Sequence, residues 1–281
     1  MSALIQKFES ARGAYRASGV RGVAAAAADS LKISLIAKRL RRWWHKRDHW
    51  LVGKAVELQG NRVSIDGCLF DVSSSAISTS LKSRFALDRY EKPEREAIAR
   101  FLDPALPIVE FGGGIGVVSC IANKRLQNPD RHVVVEANPD LLPLLARNRM
   151  LNDCRFSILE RALAYDEDRV TFYLADQFVA SGVQRAAARS IKVQTTSLKS
   201  IVETEGFDRF TLICDVEGGE VQLIEREKEL IGALVDTIML EVHPSVVGTS
   251  AIENLFSQLR ALGFQELYKS CDTLVFKSAA R

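Results

Sequence analysis

Cysteine is scarce and scattered in this chain of 281 residues. The five cysteines are odd in number and never form a Cys-x-x-Cys pair. This pattern argues against a disulfide framework and a cysteine-ligated zinc site, and it favours a reducing compartment. Long hydrophobic runs are also missing, because Asp29 and Lys32 interrupt the most apolar stretch, residues 23–37. A signal-peptide pattern is absent as well, so the cytoplasm is the expected location.

The chain also lacks a strong overall charge, since its net charge is only +3. Residues 1–50 nevertheless hold 11 Lys and Arg against 3 Asp and Glu, whereas the remainder holds 27 against 32. We interpret residues 1–50 as a basic, tryptophan-rich helical arm. Contact with a membrane surface, with a second subunit of a homodimer or with an anionic partner stays open. No nucleic-acid-binding fold is recognisable, so nucleic acid is not a favoured partner.

The hydrophobic period changes beyond the arm. Alternation at residues 55–72 predicts two or three short antiparallel strands, and residues 77–103 return to helical spacing. We therefore expect a β-hairpin and helical cap region at 51–103. Strands then alternate with helices throughout 104–281, which predicts a doubly wound, mostly parallel α/β sheet.

The predicted strands of this sheet are short and apolar, and the final two are expected to pair antiparallel. The second helix between them is predicted to begin at Pro139, where a missing N–H costs nothing. The predicted strands cover residues 108–111, 132–136, 156–159, 210–215, 237–242, 264–268 and 273–276.

A run of glycines follows the first of these strands. The segment Glu110-Phe-Gly-Gly-Gly-Ile-Gly116 places Gly112, Gly114 and Gly116 at every second position before a helical pattern. Glycines at a strand-to-helix turn let a ligand approach bare main chain, and the helix N-terminus offers N–H groups to an anion. The Gly-x-Gly-x-x-Gly spacing of dinucleotide sites is missing, so a nucleotide-dependent oxidoreductase is only an alternative.

Polar side chains follow the next strands. The second strand ends in Glu136, where a carboxylate can accept hydrogen bonds from the two hydroxyls of a ribose. Asn138 is expected to shape the turn that follows, with a purine contact as a less favoured role. The fourth and fifth strands lead into Asp215-Val-Glu-Gly-Gly-Glu220 and Glu241-Val-His243, at the same edge of the sheet.

These segments together resemble the FkbM-type family of class I S-adenosylmethionine-dependent methyltransferases. The resemblance covers about residues 77–276, and two departures are Glu110 for Asp and Gly113-Gly114 for Ala-Asn. The strings that carry it are Tyr90-Glu91, Glu110-Phe-Gly-Gly-Gly-Ile-Gly116, Glu136-Ala-Asn-Pro139, Asp215-Val-Glu-Gly-Gly-Glu220 and Glu241-Val-His243.

The resemblance implies a fold, a cofactor and a reaction. The fold is a Rossmann-like, mostly parallel seven-stranded sheet with helices on both faces, and the cofactor is S-adenosylmethionine. The reaction is methyl transfer to a hydroxyl of a sugar, a glycan or a related natural-product acceptor. A non-catalytic binding module on the same fold is an alternative. The expected cofactor-binding residues are Glu110, Gly112, Gly114, Gly116, Glu136, Asn138 and Asp215.

The expected catalytic residues are His243 and Asp215. His243 is the first candidate for the base that takes the hydroxyl proton, and Asp215 is its rival. A Mg²⁺ ion on Asp215, Glu217 and Glu220 is a less favoured alternative, so no metal ligands are assigned. The favoured role of Glu217 and Glu220 is to hold helix N-terminal N–H groups.

The segment 175–189 has no clear period, and we interpret it as a lid over the acceptor or as a surface loop. In a lid, Arg185 and Arg189 are expected to meet an anionic acceptor.

Overall fold

The computed structural model describes residues 49–174 and 189–279. The predicted arm therefore lies almost wholly outside the described residues, as does the predicted lid apart from Arg189. The chain divides into two compact units, Met1–Val52 and Gly53–Arg281. The second unit contains the sheet and the cavity described below.

Twelve strands lie in the described ranges, and three separate sheets are built from them. In chain order they are β1 (Arg62–Ile65), β2 (Cys68–Asp71), β3 (Ile108–Phe111), β4 (His132–Glu136), β5 (Ser157–Glu160), β6 (Ala162–Leu163), β7 (Arg169–Leu174), β8 (Arg189–Thr196), β9 (Phe210–Cys214), β10 (Val235–Glu241), β11 (Phe264–Ser270) and β12 (Thr273–Ser278).

Seven of these strands form the main sheet, in the order β11-β12-β10-β9-β3-β4-β5. Each strand in the series β10-β9-β3-β4-β5 is parallel to its neighbours. Strand β12 pairs antiparallel with both β10 and β11. The predicted mostly parallel, seven-stranded α/β sheet is confirmed. The chain reverses direction across the sheet at β3, and ligands of open α/β sheets bind at such a point.

Helices connect the strands and cover the sheet. Residues 49–58 are helical and are named α1. The helices that follow are α2 (Thr79–Ala86), α3 (Lys92–Phe101), α4 (Val117–Asn123), α5 (Leu142–Leu151), α6 (Leu198–Glu205), α7 (Glu220–Leu234), α8 (Pro244–Val247) and α9 (Thr249–Ala261).

A hydrophobic core lies on each face of the main sheet, because successive side chains of a strand point to opposite faces. Ile108 of β3 belongs to one core and its neighbour Val109 to the other. The first core contains buried residues of α2 to α5 and of the β1–β2 hairpin, and the second contains residues of α6, α7 and α9. The predicted helices on both faces are therefore confirmed, and the hairpin region shares the core of the sheet.

Helix α5 holds the β1–β2 hairpin through two buried asparagine side chains. Asn148 Oδ1 accepts the N–H of Asp71 at 2.8 Å, and Asn152 Oδ1 accepts the N–H of Leu69 at 2.7 Å. Asn152 Nδ2 also donates to the carbonyl of Leu69 at 2.9 Å. These side-chain amides form hydrogen bonds with main-chain groups at the edge of β2, where a neighbouring strand would otherwise pair.

Two sequence predictions are wrong in detail. Residues 55–58 are helical rather than extended, and the two strands of the hairpin begin only at Arg62. Here Glu57 pairs with Lys54 one helical turn away and accepts a hydrogen bond from Thr79, so tertiary contacts outweigh a short alternating pattern. Helix α5 begins at Leu142 instead of Pro139, with Pro143 in its first turn.

A membrane-crossing helix is not found in the part of the chain that the structure describes, since none of its helices is long and apolar enough.

Candidate functional site

A cavity of about 600 Å³ opens at the carboxyl ends of β3, β4, β9 and β10. Its volume lies in the range of small-molecule and cofactor sites. The structure brings six of the predicted site residues together in its wall, namely Gly112, Gly114, Glu136, Asn138, Asp215 and His243. Glu110 and Gly116 are not among the described residues that line it.

The glycine loop requires glycine for two different reasons. Gly112 has a φ of +93°, and a Cβ there would lie 1.8 Å from the carbonyl oxygen of Asp215. Any side chain at Gly112 would therefore push the loop away from the end of β9. Gly114 has a φ of +53° with open space around it, so its main chain stays accessible from the cavity.

Glu136 is a buried residue at the end of β4, and its carboxylate contacts the glycine loop. Its Oε2 accepts the N–H of Gly114 at 2.6 Å, and its Oε1 accepts the N–H of Asn138 at 2.7 Å. A carboxylate offers about four lone-pair positions, so acceptor capacity remains for a ligand hydroxyl. Burial raises the pKa of Glu136 to about 7, against the lowering effect of these N–H groups.

Asn138 has the turn-forming role that its position predicted. Its Oδ1 accepts the N–H of Asp140 at 3.0 Å, which stabilises the turn between β4 and α5. The side chain is buried at the wall of the cavity.

Glu110 lies beneath the glycine loop, and its side chain is only 1 % exposed. Its Oε1 accepts from the hydroxyl of Ser119 at 2.7 Å, and its Oε2 lies 2.9 Å from His132 Nε2. The contact with Ser119 joins the end of β3 to helix α4, and the contact with His132 joins β3 to β4. The structure thus gives Glu110 a framework position, and Gly116 likewise begins α4 as its N-cap with a φ of +88°.

Glu220 organises the segment between β9 and α7. Its buried Oε1 accepts the N–H of Val216 at 3.0 Å, and its Oε2 accepts the N–H of Gly218 at 3.0 Å. Nδ1 of His243 lies 3.1 Å from Glu220 Oε1. Both oxygens of Glu220 already accept main-chain N–H groups, so we assign Nδ1 as the donor of this contact. These contacts position the loop that precedes α7, whereas the sequence predicted contacts with N–H groups of the helix itself. They also engage both oxygens of Glu220, one of the three ligands of the Mg²⁺ alternative.

Three ligand-type side chains converge beside this segment. One donor atom each from Asp215, Glu241 and His243 lies within 4.8 Å of the other two. His243 Nε2 lies 3.5 Å from Asp215 Oδ1 and 3.5 Å from Glu217 Oε2. We refer to Asp215, Glu241 and His243 as the acceptor-side cluster.

Burial and neighbouring carboxylates shift every pKa in the acceptor-side cluster. Burial and the charge of Glu241 raise the pKa of Asp215 well above its usual range. Burial and the charge of Glu94 raise the pKa of Glu241 to about 7. Burial lowers the pKa of His243, but the hydrogen bond and charge of Glu220 outweigh this effect, and the pKa of His243 is raised. The cluster therefore retains protons more readily than isolated side chains do.

Glu91 and Glu94 carried no predicted role, yet both line the cavity. Glu91 precedes α3 with a φ of +46°, which costs a non-glycine residue about 1–2 kcal/mol. Burial, together with the charge of Glu94, raises the pKa of Glu91 to about 8. In the sequence, Tyr90-Glu91 served only as part of the family resemblance, and nothing in its spacing placed Glu91 beside the glycine loop.

Arg189 of the predicted lid forms an exposed ion pair with Asp140, at 2.7 Å between Nη1 and Oδ2. Arg185 lies outside the described residues.

Comparison with protein-family profiles identifies a domain in this chain. A family profile described as "Methyltransferase FkbM domain" matches residues 110–266, which is more than half of the chain. A search of curated protein sequences finds no match.

Among solved structures, the ribosomal protein L11 methylase from Lactobacillus delbrueckii subsp. bulgaricus is similar at 12% identity and a TM-score of 0.40, over 68% of this chain and 79% of that chain. TYW2 from M. jannaschii in complex with AdoMet is similar at 15% identity and a TM-score of 0.38, over 76% of this chain and 82% of that chain.

Proposed function

Because this chain belongs to the FkbM family of methyltransferases, we propose that it transfers the methyl group of S-adenosylmethionine to a hydroxyl oxygen of a sugar, a glycan or a related natural-product acceptor. Methyl transfer follows from the family, and the oxygen acceptor is the part that is proposed. One observation supports the proposal. A single cavity is lined by the main chain of Gly114, by the Glu136 carboxylate that could bind a ribose, and by the acceptor-side cluster.

The cofactor lies over the glycine loop in this proposal. The open main chain of Gly114 leaves room for the nucleoside, and Glu136 accepts hydrogen bonds from the two ribose hydroxyls. This assignment is supported by the position of Glu136, which is already oriented by two N–H groups and needs no reorganisation to receive a diol.

Methyl transfer then needs an acceptor oxygen in line with the sulfonium S–CH₃ bond. The oxygen forms a bond to the methyl carbon while the carbon–sulfur bond breaks, and the bonding pair stays on sulfur as the neutral thioether of S-adenosylhomocysteine. The hydroxyl proton leaves through the acceptor-side cluster, where His243 and Asp215 are the candidate catalytic residues. Alignment of the two reactants supplies a large share of the acceleration.

Calorimetry tests the cofactor half of the proposal. We expect micromolar binding of S-adenosylmethionine to the purified protein, and binding is expected to disappear in Gly114→Val and in Glu136→Ala. Glu160→Gln is the matched control, because Glu160 pairs in register with Glu136 but ends the outer strand β5. Equal affinity in all four proteins would contradict the placement of the cofactor.

A transfer assay tests the acceptor half. The protein is incubated with S-adenosylmethionine labelled with ¹³C in the methyl group and with a panel of sugars and glycans, and the products are analysed by NMR. The proposal predicts a methoxy carbon signal that is lost in His243→Ala. A product methylated on nitrogen or carbon would overturn the oxygen acceptor. Cofactor binding without transfer to any acceptor would favour a binding module.

A further inference from the structure

The acceptor-side cluster has the composition of a metal site. Strands β9 and β10 are parallel, with Leu240 opposite Cys214, so the residues that follow arrive at one edge of the sheet. Two ligand atoms at about 2.1 Å from one ion, seen at 90–110°, lie about 3.0–3.4 Å apart. The observed 3.5 Å between His243 Nε2 and Asp215 Oδ1 needs a closure of only a few tenths of an ångström. The three donor atoms lie within 4.8 Å of one another, so the Glu241 side chain has farther to move.

A second observation points to a missing ligand. Asp215 Oδ1 is shielded from solvent and has no hydrogen bond among the described residues, although His243 Nε2 lies 3.5 Å away and the rest of the Asp215 side chain is partly exposed. A shielded carboxylate oxygen without a hydrogen bond is costly unless a cation or a proton donor meets it. Glu91 Oε2, elsewhere in the wall of the same cavity, is in the same condition among the described residues.

The third observation is the orientation of His243, which is set by Glu220, a residue outside the cluster. Glu220 holds the ring through Nδ1 and is itself fixed by the N–H groups of Val216 and Gly218. Histidines that bind metals almost always donate their other ring N–H to a carboxylate or carbonyl in this way. This contact leaves Nε2 on the side of the ring where Asp215 lies.

We propose that Asp215, Glu241 and His243 bind one divalent cation that accepts both carboxylate and imidazole ligands, as Mn²⁺ and Zn²⁺ do. Three protein ligands leave open positions, which is the arrangement of catalytic rather than structural ions. The site differs from the Mg²⁺ alternative considered from sequence, because Glu220 orients a ligand instead of being one.

The catalytic role of the ion rests on the proposed function. An acceptor hydroxyl in an open position of the ion would have a lowered pKa, and its proton would leave to solvent through the cavity. Asp215, Glu241 and His243 would hold the ion, and the ion would supply Lewis-acid activation of the hydroxyl. His243 would then be a ligand, and this role would replace the direct proton transfer to His243 considered under the proposed function.

Mn²⁺ binding tests the site without any reaction. The full-length protein is stripped with a chelator and titrated with Mn²⁺, with free Mn²⁺ followed by electron paramagnetic resonance. We expect one ion per chain, and we expect Asp215→Asn, Glu241→Gln and His243→Gln each to weaken binding by at least about tenfold. Glu253→Gln, on the exposed surface of α9, is the matched control and is expected to bind as the wild type does.

A spectroscopic measurement on the wild-type protein tests the site even if the variants fail to fold. Pulsed paramagnetic resonance of bound Mn²⁺ is expected to show coupling to an imidazole ¹⁴N nucleus. No binding up to millimolar Mn²⁺, or bound Mn²⁺ without this coupling, would overturn the proposal. Binding without methyl transfer would contradict the proposed function alone, whereas transfer by protein that binds no ion would contradict the metal site alone.

Discussion

At the residue scale, Glu110 and Glu136 show that the same side chain has different environments at the ends of two neighbouring strands. Glu136 ends β4 and reaches the cavity, whereas Glu110 lies one residue before the end of β3 and points under the glycine loop. The register explains the difference, because Glu110 lies opposite Val134 and Phe111 lies opposite Val135. We therefore expect Glu136 to govern ligand affinity and Glu110 to govern stability.

The raised pKa of Glu136 predicts a pH dependence of cofactor binding. The ionised carboxylate accepts ribose hydroxyls, and protonation removes acceptor capacity, so affinity is expected to rise from pH 6 to pH 8 with a midpoint near the pKa of about 7. Calorimetry at several pH values measures it. In Glu136→Gln the affinity should be lower and the step near pH 7 absent; an unchanged step would assign the titration to another group.

Replacing Glu110 predicts a loss of stability. Glu110→Ala leaves the hydroxyl of Ser119 and the ring of His132 without their buried partner, at a cost of about 1–3 kcal/mol in the free energy of unfolding. Urea denaturation measures this cost. Calorimetry well below the melting temperature should find cofactor affinity close to that of the wild type, and a selective loss of affinity with normal stability would refute the framework position.

At the scale of elements, the segment between β9 and α7 brings the two ends of the site together. The carbonyl oxygen of Asp215 packs against Gly112, while Glu220 links the same segment to His243. The glycine loop and the acceptor-side cluster thus meet at the end of β9. This contact explains why residues far apart in sequence share one cavity.

Helix α5 supplies another element-scale prediction. Asn148→Ala removes the acceptor for the N–H of Asp71 and the donor to the carbonyl of Ile115, at 2.8 Å each. We expect unfolding to become easier by about 1–3 kcal/mol. Hydrogen exchange should accelerate in β2 before it does in β9, because the lost bonds are local. Equal acceleration of exchange in β2 and β9 would mean that Asn148 does not stabilise the β1–β2 hairpin locally.

At the scale of the whole molecule, the unit Gly53–Arg281 contains both cores and all the described residues that line the cavity. A ligand that binds there stabilises the folded state by mass action, since the unfolded chain has no assembled site.

This linkage predicts a rise in melting temperature. S-adenosylhomocysteine at about 100 times its dissociation constant should add about 2.7 kcal/mol, which is about 5–11 °C for a unit of this size. Scanning calorimetry measures the shift. NADH is the control, and an equal shift with NADH would revive the oxidoreductase alternative.

Much of the fold could be predicted because it follows local rules. The short, β-branched, largely apolar runs at 108–111 and 132–136 favour buried strands, and the glycines after Phe111 end the first of them. The helix at 55–58 could not be predicted, since Glu57 is held by Thr79 and Lys82 from another element. The lining role of Glu91 could not be predicted either, because it depends on where α3 packs.

The sequence by itself determined the order of strands and helices, the glycine turn and the polar residues at strand ends, because period, turn chemistry and strand polarity are properties of neighbouring residues. Only the tertiary structure decided which of those polar residues meet. The order of strands across the sheet and their register brought Asp215, Glu241 and His243 together and placed Glu110 beneath the loop. Contacts between distant segments depend on packing that no local pattern encodes.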